Sequence, residues 1–437
     1  EEIVNDKVRR ILRVAEFTGR LDNPEEQPEK TNDLEEDHAL IRRSGAEGMV
    51  LLKNNSVLPF QVDKLKKLAV IGPNALKGQY LGGGSAALNP HYVVHPLEGI
   101  NNAVSDVEVS FAKGCHTHKF LPSIPKELLN EGKGYKVEFF DGQEFAGSPV
   151  ETKYLEGGKF WALGGFGLDI VSNSKKPSLS VRFSGILKPE VSGEYNFEIF
   201  SIGPSRLFID DEDLIDNWSS QEPGDAFFGM GSKAKRGQKI LESGKEYTIH
   251  VEYKWEGRFP AVQIGMLAPD DHDLMEAAVN LAKKSDATIL IVGTNSDWET
   301  EGNDRDSLLL PLRQNELIEK VCKANKNTVV VLNTGSPCEM PWNDEANAIL
   351  QCWFPGQEFG NSLADIIFGK VNPSGKLPTT FPIKLEDTPA YNTYPGKDLQ
   401  MDYEEGLYIG YRWYEKENIT PLYPFGHGLS YTSFAYS

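Results

Sequence analysis

The sequence predicts an α/β protein, a mostly parallel α/β sandwich interrupted by an all-β sandwich insert. Three observations predict it. After residue 273, short β-branched runs alternate with segments of helical period. The same alternation occurs before residue 115. Between the two, the apolar period changes to two and stays so to about residue 267. A pattern that brackets a foreign one reads as a host domain carrying an insertion.

In chain order, EEIVNDKVRRILRVAEFTGRLDNP (1–24) places Ile3, Val4, Val8, Ile11, Leu12 and Val14 at helical spacing. It opens inside the helix, so the chain is expected to be a piece of something larger. Residues 37–53 also carry apolar residues at helical intervals and predict a helix. LAVIG (68–72), closed by Gly72-Pro73-Asn74, suits a buried parallel strand, and VEVSF (107–111) another. Within the insert, Tyr195, Phe197 and Ile199 share one face of a strand, as do Tyr247, Ile249, Val251 and Tyr253. Helix 274–284, strand 288–293, helix 313–325, strands 328–333 and 348–353 and helix 358–369 follow. From 395 an aromatic, glycine-rich stretch ends in what reads as a first strand, a second cut end.

Acids outnumber bases by 64 to 45 over 437 residues, a net charge of −19. That field repels phosphate backbones and anionic lipid, which argues against nucleic-acid and membrane partners, whereas neutral sugars are indifferent to it. No apolar run approaches the ~18–20 residues of a membrane span. Cys115, Cys322, Cys338 and Cys352 are too few for a disulfide framework and show no zinc spacing. The glycine run 78–90 lacks both GxGxxG and GxxxxGK[ST], so it is not a nucleotide loop. Its three glycines before Ser85 do permit close backbone approach to a ligand.

Ligands of open α/β sheets bind at the carboxyl ends of the strands. The loop leaving strand 288–293, GTNSDWETEGNDRDSLLLP, holds Asp297, Glu299, Glu301, Asp304 and Asp306 with Arg305 and Trp298. As a calcium loop it fails, because its twelfth position is Leu308 and not a bidentate Glu. An indole beside alternating carboxylates suits glycoside chemistry, in which a carboxylic acid protonates a leaving oxygen and an aromatic ring stacks on sugar. Composition and spacing leave Glu299 and Glu301 equivalent for that acid. No metal and no cofactor is called for.

IRRSGAEGMVLLKNNSVLPF (41–60), VIGPNA (70–75), GGGSAALNPHYVVHPLEGI (82–100), WETEGNDRDSLLLP (298–311), VNPSGKLPTTFP (371–382) and YPFGHGLSYTSF (423–434) resemble, in order, the second domain of a glycoside hydrolase family 3 β-glucosidase. The insert, with SGEYNFEIFSIGPSRLFIDDEDLIDNW (192–218), resembles the PA-14 β-sandwich carried by one subgroup. The resemblance implies five segments. Residues 1–30 are the tail of a (β/α)8 barrel with its linker, and 31–114 the first part of the α/β sandwich. Residues 115–268 are the PA-14-like insert, and 269–395 the second part of the sandwich. Residues 396–437 are a linker and the start of a fibronectin III-like domain.

It also implies a retaining, exo-acting β-glucosidase that hydrolyses terminal β-D-glucosyl residues. The nucleophile Asp lies on the barrel, which this chain lacks and needs as its partner, so the piece alone is expected to be inactive. Ser296-Asp297-Trp298 mimics the nucleophile motif but does not follow a barrel strand. Glu301 is carried over as general acid/base, with Glu299 as fallback, and apolar enclosure, helped by Trp298, is expected to raise its pKa. Trp298 and Ser85 are expected substrate contacts, Ser85 in the −1 subsite. Phe227 and Phe228 are expected to wall the aglycone side, and Asp304 and Arg305 to pair and hold the loop. A β-glucoside or β-oligosaccharide is the expected substrate, and a homo-oligomer is compatible with the sequence. The competing reading is a non-catalytic carbohydrate-binding protein acting through the PA-14-like domain. A positioned acid speaks against it.

Overall fold

The computed structural model describes residues 1–26, 28, 30–161, 178–256, 259–269, 273–433 and 435. Of the expectations above, residues 162–177 and 257–258 of the insert, 270–272 after it, and Phe434 of the last motif lie outside these. The chain divides into two units, Glu1–Leu40 and Ile41–Ser437. The first holds α1 (Glu2–Phe17), in which Arg10 pairs with Asp6 at 2.9 Å, and the beginning of α2 (Glu35–Gly48).

In the second unit the helix expected over 37–53 stops at Gly48, and Val50–Asn54 is a strand, β1. The apolar run from Met49 to Leu52 fits a buried helix or a buried strand equally well. Tertiary pairing decides it, because β1 runs antiparallel to a strand 300 residues on, with Val50 opposite Gln351. Strand β2 (Lys67–Ile71), helix α3 (Pro96–Ala103) and strand β3 (Glu108–Ala112) follow.

The chain then leaves the host sheet. The insert's strands are β4 (Tyr135–Asp141), β5 (Glu151–Leu155), β6 (Lys159–Trp161), β7 (Ser178–Leu187), β8 (Gly193–Ile202), β9 (Ser205–Ile209), β10 (Glu212–Asn217), β11 (Lys235–Leu241), β12 (Tyr247–Glu256) and β13 (Ala261–Leu267). They form two antiparallel sheets, ordered β10-β9-β12-β7-β4-β5 and β11-β8-β13-β6. The period-2 faces are the reason: Tyr195, Phe197 and Ile199 of one sheet and Ile249, Val251 and Tyr253 of the other are buried in one core. Asp210 and Asp211 form the two-residue turn between β9 and β10, with φ of 50° and 62°, where Asp side chains tolerate the left-handed region.

The host resumes with α4 (Leu274–Lys284), whose start is fixed by Asp273 accepting from the Met275 and Glu276 amides. Next come β14 (Ala287–Gly293), α5 (Gln314–Ala324), β15 (Thr328–Asn333), β16 (Ala348–Gln351), α6 (Phe359–Ile367) and, near the C-terminal end, α7 (Tyr411–Glu417). The host sheet has the order β1-β16-β15-β14-β2-β3, parallel except at β1. Every residue of β14 and β15 is buried, as a strand covered on both faces requires. Met275, Ala278, Leu317 and Val321 of α4 and α5 pack on one face. Ile100, Phe359, Leu363 and Ile366 of α3 and α6 pack on the other.

One topological consequence positions the site. From β2 the chain proceeds through α3 to β3 on one side, and from β14 through α5 to β15 on the other. The order reverses between β2 and β14, and at such a switch point the two departing loops open a crevice at the carboxyl ends. These loops are the glycine segment and the acidic loop. All four cysteines are buried and unpaired, and burial pushes the Cys115, Cys322 and Cys338 thiols up to about 12.

Candidate functional site

Asn333, at the end of β15, ties the crevice together. Its amide donates to the Gln79 and Trp353 carbonyls at 2.8 and 2.7 Å. Its oxygen accepts from the Gln79 amide at 2.8 Å and the Asn74 side chain at 3.0 Å. One wholly buried side chain thus holds the root of the glycine segment to the ends of β15 and β16. Asn333→Ala strands the Gln79 amide and carbonyl and the Trp353 carbonyl at ~1–3 kcal/mol each, while Asn74 keeps its bond to the Thr294 carbonyl, so a loss of at least about 3 kcal/mol is expected in denaturant unfolding. Asn333→Asp keeps the acceptor, loses both donated bonds and is expected to be destabilised as well.

The acidic loop is anchored at its base by Gln314, which donates to the Gly293 and Pro311 carbonyls at 2.8 and 3.1 Å. Within the loop the two equivalent carboxylates part company. Glu299 turns inward, where it accepts from the Thr294 hydroxyl at 2.6 Å and the Gly335 amide at 3.0 Å, with Arg305 at 3.8 Å. Glu301 is exposed, and among the described residues only Ser85 binds it: the Ser85 hydroxyl and backbone N–H, the latter at 3.0 Å, both donate to Oε2. These donors hold its carboxyl below the usual range, the hydroxyl more than the amide. The enclosure expected to raise it is not found among the described residues: Glu301 is exposed and two donors stabilise its anion.

Close approach makes the Ser85 contact feasible. Gly84 has φ of 70°, and a Cβ there would lie 2.6 Å from the Glu301 Cβ. Independently, the Gly83 amide donates to the Glu299 carbonyl at 3.0 Å, clipping one loop to the other. Ser85, expected as a sugar contact, is thus engaged with Glu301 itself.

Trp298 is held toward the insert. Its indole N–H donates to the Thr117 carbonyl at 2.8 Å, and the Lys119 ammonium lies 5.6 Å from its ring. It lines a cavity of about 480 Å³ together with Glu299, Arg305 and Phe354, and Glu301 is not part of that lining. Asp304 and Arg305 do not hold the loop as a pair. The Tyr394 hydroxyl donates to Asp304, while Arg305 donates to the Ser336 hydroxyl at 3.1 Å and the Leu309 carbonyl at 3.2 Å.

Glu301 and Ser85 border a second cavity, of about 410 Å³, whose far side comes from the insert. Phe227 and Phe228 both line it. Phe227 rests on Phe200, ring centroids 5.4 Å apart, and Phe228 is exposed beside Gly302. Their φ values, 52° and 61°, put two successive bulky residues in the left-handed region, a conformation found mostly where surroundings impose it. The loop's own turn closes over them, with the Met230 amide donating to the Phe227 carbonyl at 3.2 Å and the Gly231 amide to the Ala226 carbonyl at 2.9 Å, while Asn303 of the acidic loop donates to the Asp225 carbonyl at 2.6 Å. Asp297 lines the same cavity, and burial pushes its carboxyl up against the opposing fields of Lys159 and Lys119. Phe120, Lys159, Phe200 and Gln263 complete the wall, and nothing in their local spacing marks them. Phe200 falls within 192–218 and Asn303 within 298–311, and of the two only Asn303 carries a local signal, since an Asn in a loop suggests a capping or bridging amide.

Residues 49–431 match the profile of the glycosyl hydrolase family 3 C-terminal domain. A β-glucosidase of Rhizobium radiobacter is 40% identical over 447 residues, covering 100% of this chain and 53% of its own length. A probable β-glucosidase I of Emericella nidulans is 39% identical over 454 residues, covering 99% and 53%. A β-glucosidase of Kluyveromyces marxianus, solved in complex with glucose, is 36% identical at a TM-score of 0.86 over 99% of this chain and 54% of that one. The chain thus spans about half the length of these relatives. With the matched profile running through host sheet and insert alike, the chain belongs to glycosyl hydrolase family 3 and corresponds to its C-terminal domain.

Proposed function

We propose that the chain is the acid/base-bearing portion of a retaining, exo-acting β-glucosidase, with Glu301 as the general acid/base. The observation that carries the assignment is the contrast between the two glutamates. Glu299 is tied by Thr294, Gly335 and Arg305, whereas Glu301 is exposed at the switch point with one oxygen uncommitted among the described residues. The relatives' names, β-glucosidase in each case, support the substrate class.

In this reading the nucleophile is an Asp on a (β/α)8 barrel, to which residues 1–30 contribute the tail. The barrel Asp attacks the anomeric carbon while Glu301 gives its proton to the departing glycosidic oxygen. Glu301 then takes a proton from the water that displaces the enzyme carboxylate, and the configuration is retained. A carboxyl held ionised by Ser85 is a poor acid by itself. Bringing the nucleophile within ~5–5.5 Å supplies a like charge and excludes water, and both raise the Glu301 pKa. The insert, residues 115–268, is read as a PA-14-like domain whose Phe227 and Phe228 wall the aglycone side. Residues 396–437 are read as a linker and the start of a fibronectin III-like domain.

The test is turnover of aryl β-glucosides by the full-length enzyme with Glu301 or Glu299 changed to alanine. Azide rescue confined to Glu301→Ala supports the assignment, and rescue confined to Glu299→Ala overturns it.

A further inference from the structure

Among the described residues, both hydrogen bonds that Glu301 receives come from one residue and converge on one oxygen. The Ser85 hydroxyl and backbone N–H both donate to Oε2, none of these residues donates to Oε1, and Glu301 lines the cavity that the insert closes. We propose that Ser85 is the positioning residue of the acid/base: by occupying Oε2 it commits Oε1 to carry the proton that leaves with the glycosidic oxygen and returns from water. The inference rests on Glu301 being that acid/base.

The chemistry follows from donor and acceptor inventories. A carboxylate oxygen that already accepts two hydrogen bonds has no lone pair suitably placed for a proton, and protonating it would set a new O–H against both donors. The proton therefore resides on the other oxygen. When Glu301 acts as acid, the Oε1–H bond breaks and the leaving oxygen gains the proton. When it acts as base, Oε1 takes a proton from water, whose oxygen bonds to the anomeric carbon as the enzyme carboxylate departs.

The clasp is built into the backbone. Gly84 admits the close approach, and the Gly83 amide on the Glu299 carbonyl fixes the loops whatever residue stands at 85. The Ser85 amide donor also survives substitution, so Ser85→Ala removes the hydroxyl alone. Other charges facing this carboxyl are Lys159 and Asp225 from the insert and Asp297 from the acidic loop, all lining the same cavity. Asp225 is paired with Lys119, and the neighbouring Glu299, Asp304 and Arg305 are engaged as described.

Removing the hydroxyl removes the larger of the two influences that favour the anion, so the basic limb of kcat/KM, which reports loss of the acid's proton, moves to higher pH. The experiment compares full-length wild type, Ser85→Ala and Ser85→Thr on an aryl β-glucoside with a poor leaving group, with inhibition by glucose measured alongside. Expected are an upward shift of that limb in Ser85→Ala, its return in Ser85→Thr, and an unchanged glucose inhibition constant. An unmoved limb with weakened glucose binding makes Ser85 a sugar contact and overturns the proposal. Azide rescue of Glu301→Ala with an unmoved limb in Ser85→Ala overturns the role of Ser85 alone. Absence of azide rescue in Glu301→Ala removes the acid/base assignment on which it rests.

Discussion

In the full-length enzyme, the acid/base role proposed for Glu301 predicts that Glu301→Ala lowers turnover of β-glucosides with poor leaving groups by about 10²–10⁴-fold, the usual contribution of general acid–base catalysis. The loss must depend on the leaving group. An activated aryl oxide departs without a proton, so glycosylation proceeds and the glycosyl-enzyme accumulates, because water lacks its base. Burst kinetics then precede a slow steady state. Azide needs no base. It attacks the anomeric carbon, the bond to the nucleophile carboxylate breaks, and β-glucosyl azide forms with restored turnover.

Glu299→Ala should behave differently. It leaves Arg305 facing an empty acceptor and strands the Thr294 hydroxyl and Gly335 amide, at a cost of about 2–4 kcal/mol. Its activity is expected to fall for all leaving groups alike, without azide rescue, alongside reduced resistance to denaturant.

These two carboxylates also show where the sequence stops being informative. Strands β14 and β15 are legible because TILIVG and TVVVLN are apolar throughout, which only a doubly covered strand tolerates. The faces of β8 and β12 are legible from their period of two. Strand β1 is not, since a four-residue apolar run has no decisive period and its partner lies 300 residues away. The acidic loop is a local motif and can be read locally. Whether a given carboxylate in it points inward is set by Thr294, Gly335 and Arg305 in one case and by Ser85, 216 residues distant, in the other. Two residues apart and chemically identical, Glu299 and Glu301 differ only in what the fold brings to them. The same holds for Trp298, whose indole N–H meets Thr117 at the entrance to the insert.

The largest stability effect is expected at a residue with no side chain and no place in the chemistry, Gly99. Helices α3 and α6 meet there backbone to backbone. A Cβ on Gly99 would lie 2.5 Å from the Gly360 Cα and closer still to its carbonyl, and a Cβ on Gly360 would run into the His95 carbonyl. Neither helix can yield, because the Gly360 amide donates to the Val94 carbonyl at 2.8 Å, and the Val94 amide to the Gln357 carbonyl at 2.8 Å. Gly99→Val therefore forces the helices apart and opens the apolar layer of Ile100, Phe359 and Leu363. A loss of about 3–5 kcal/mol is expected in denaturant unfolding, above the usual cost of overpacking because the atoms struck are the rigid Gly360 backbone. Gly48→Ala is the control, since nothing lies within 4 Å of a Cβ there. It is expected to be neutral or stabilising by up to ~1 kcal/mol, as a helical glycine replaced by alanine ordinarily is. The strain should also reach the site. Residues 78–95 run from a packing contact of Gly78 on Phe359 to this helix pair, and Ser85 hangs between those two fixed points. Whatever fraction of Gly99→Val folds is therefore expected to misplace Ser85 relative to Glu301 and to show a displaced basic limb in kcat/KM. Gly48→Ala, which leaves both fixed points intact, keeps the wild-type profile.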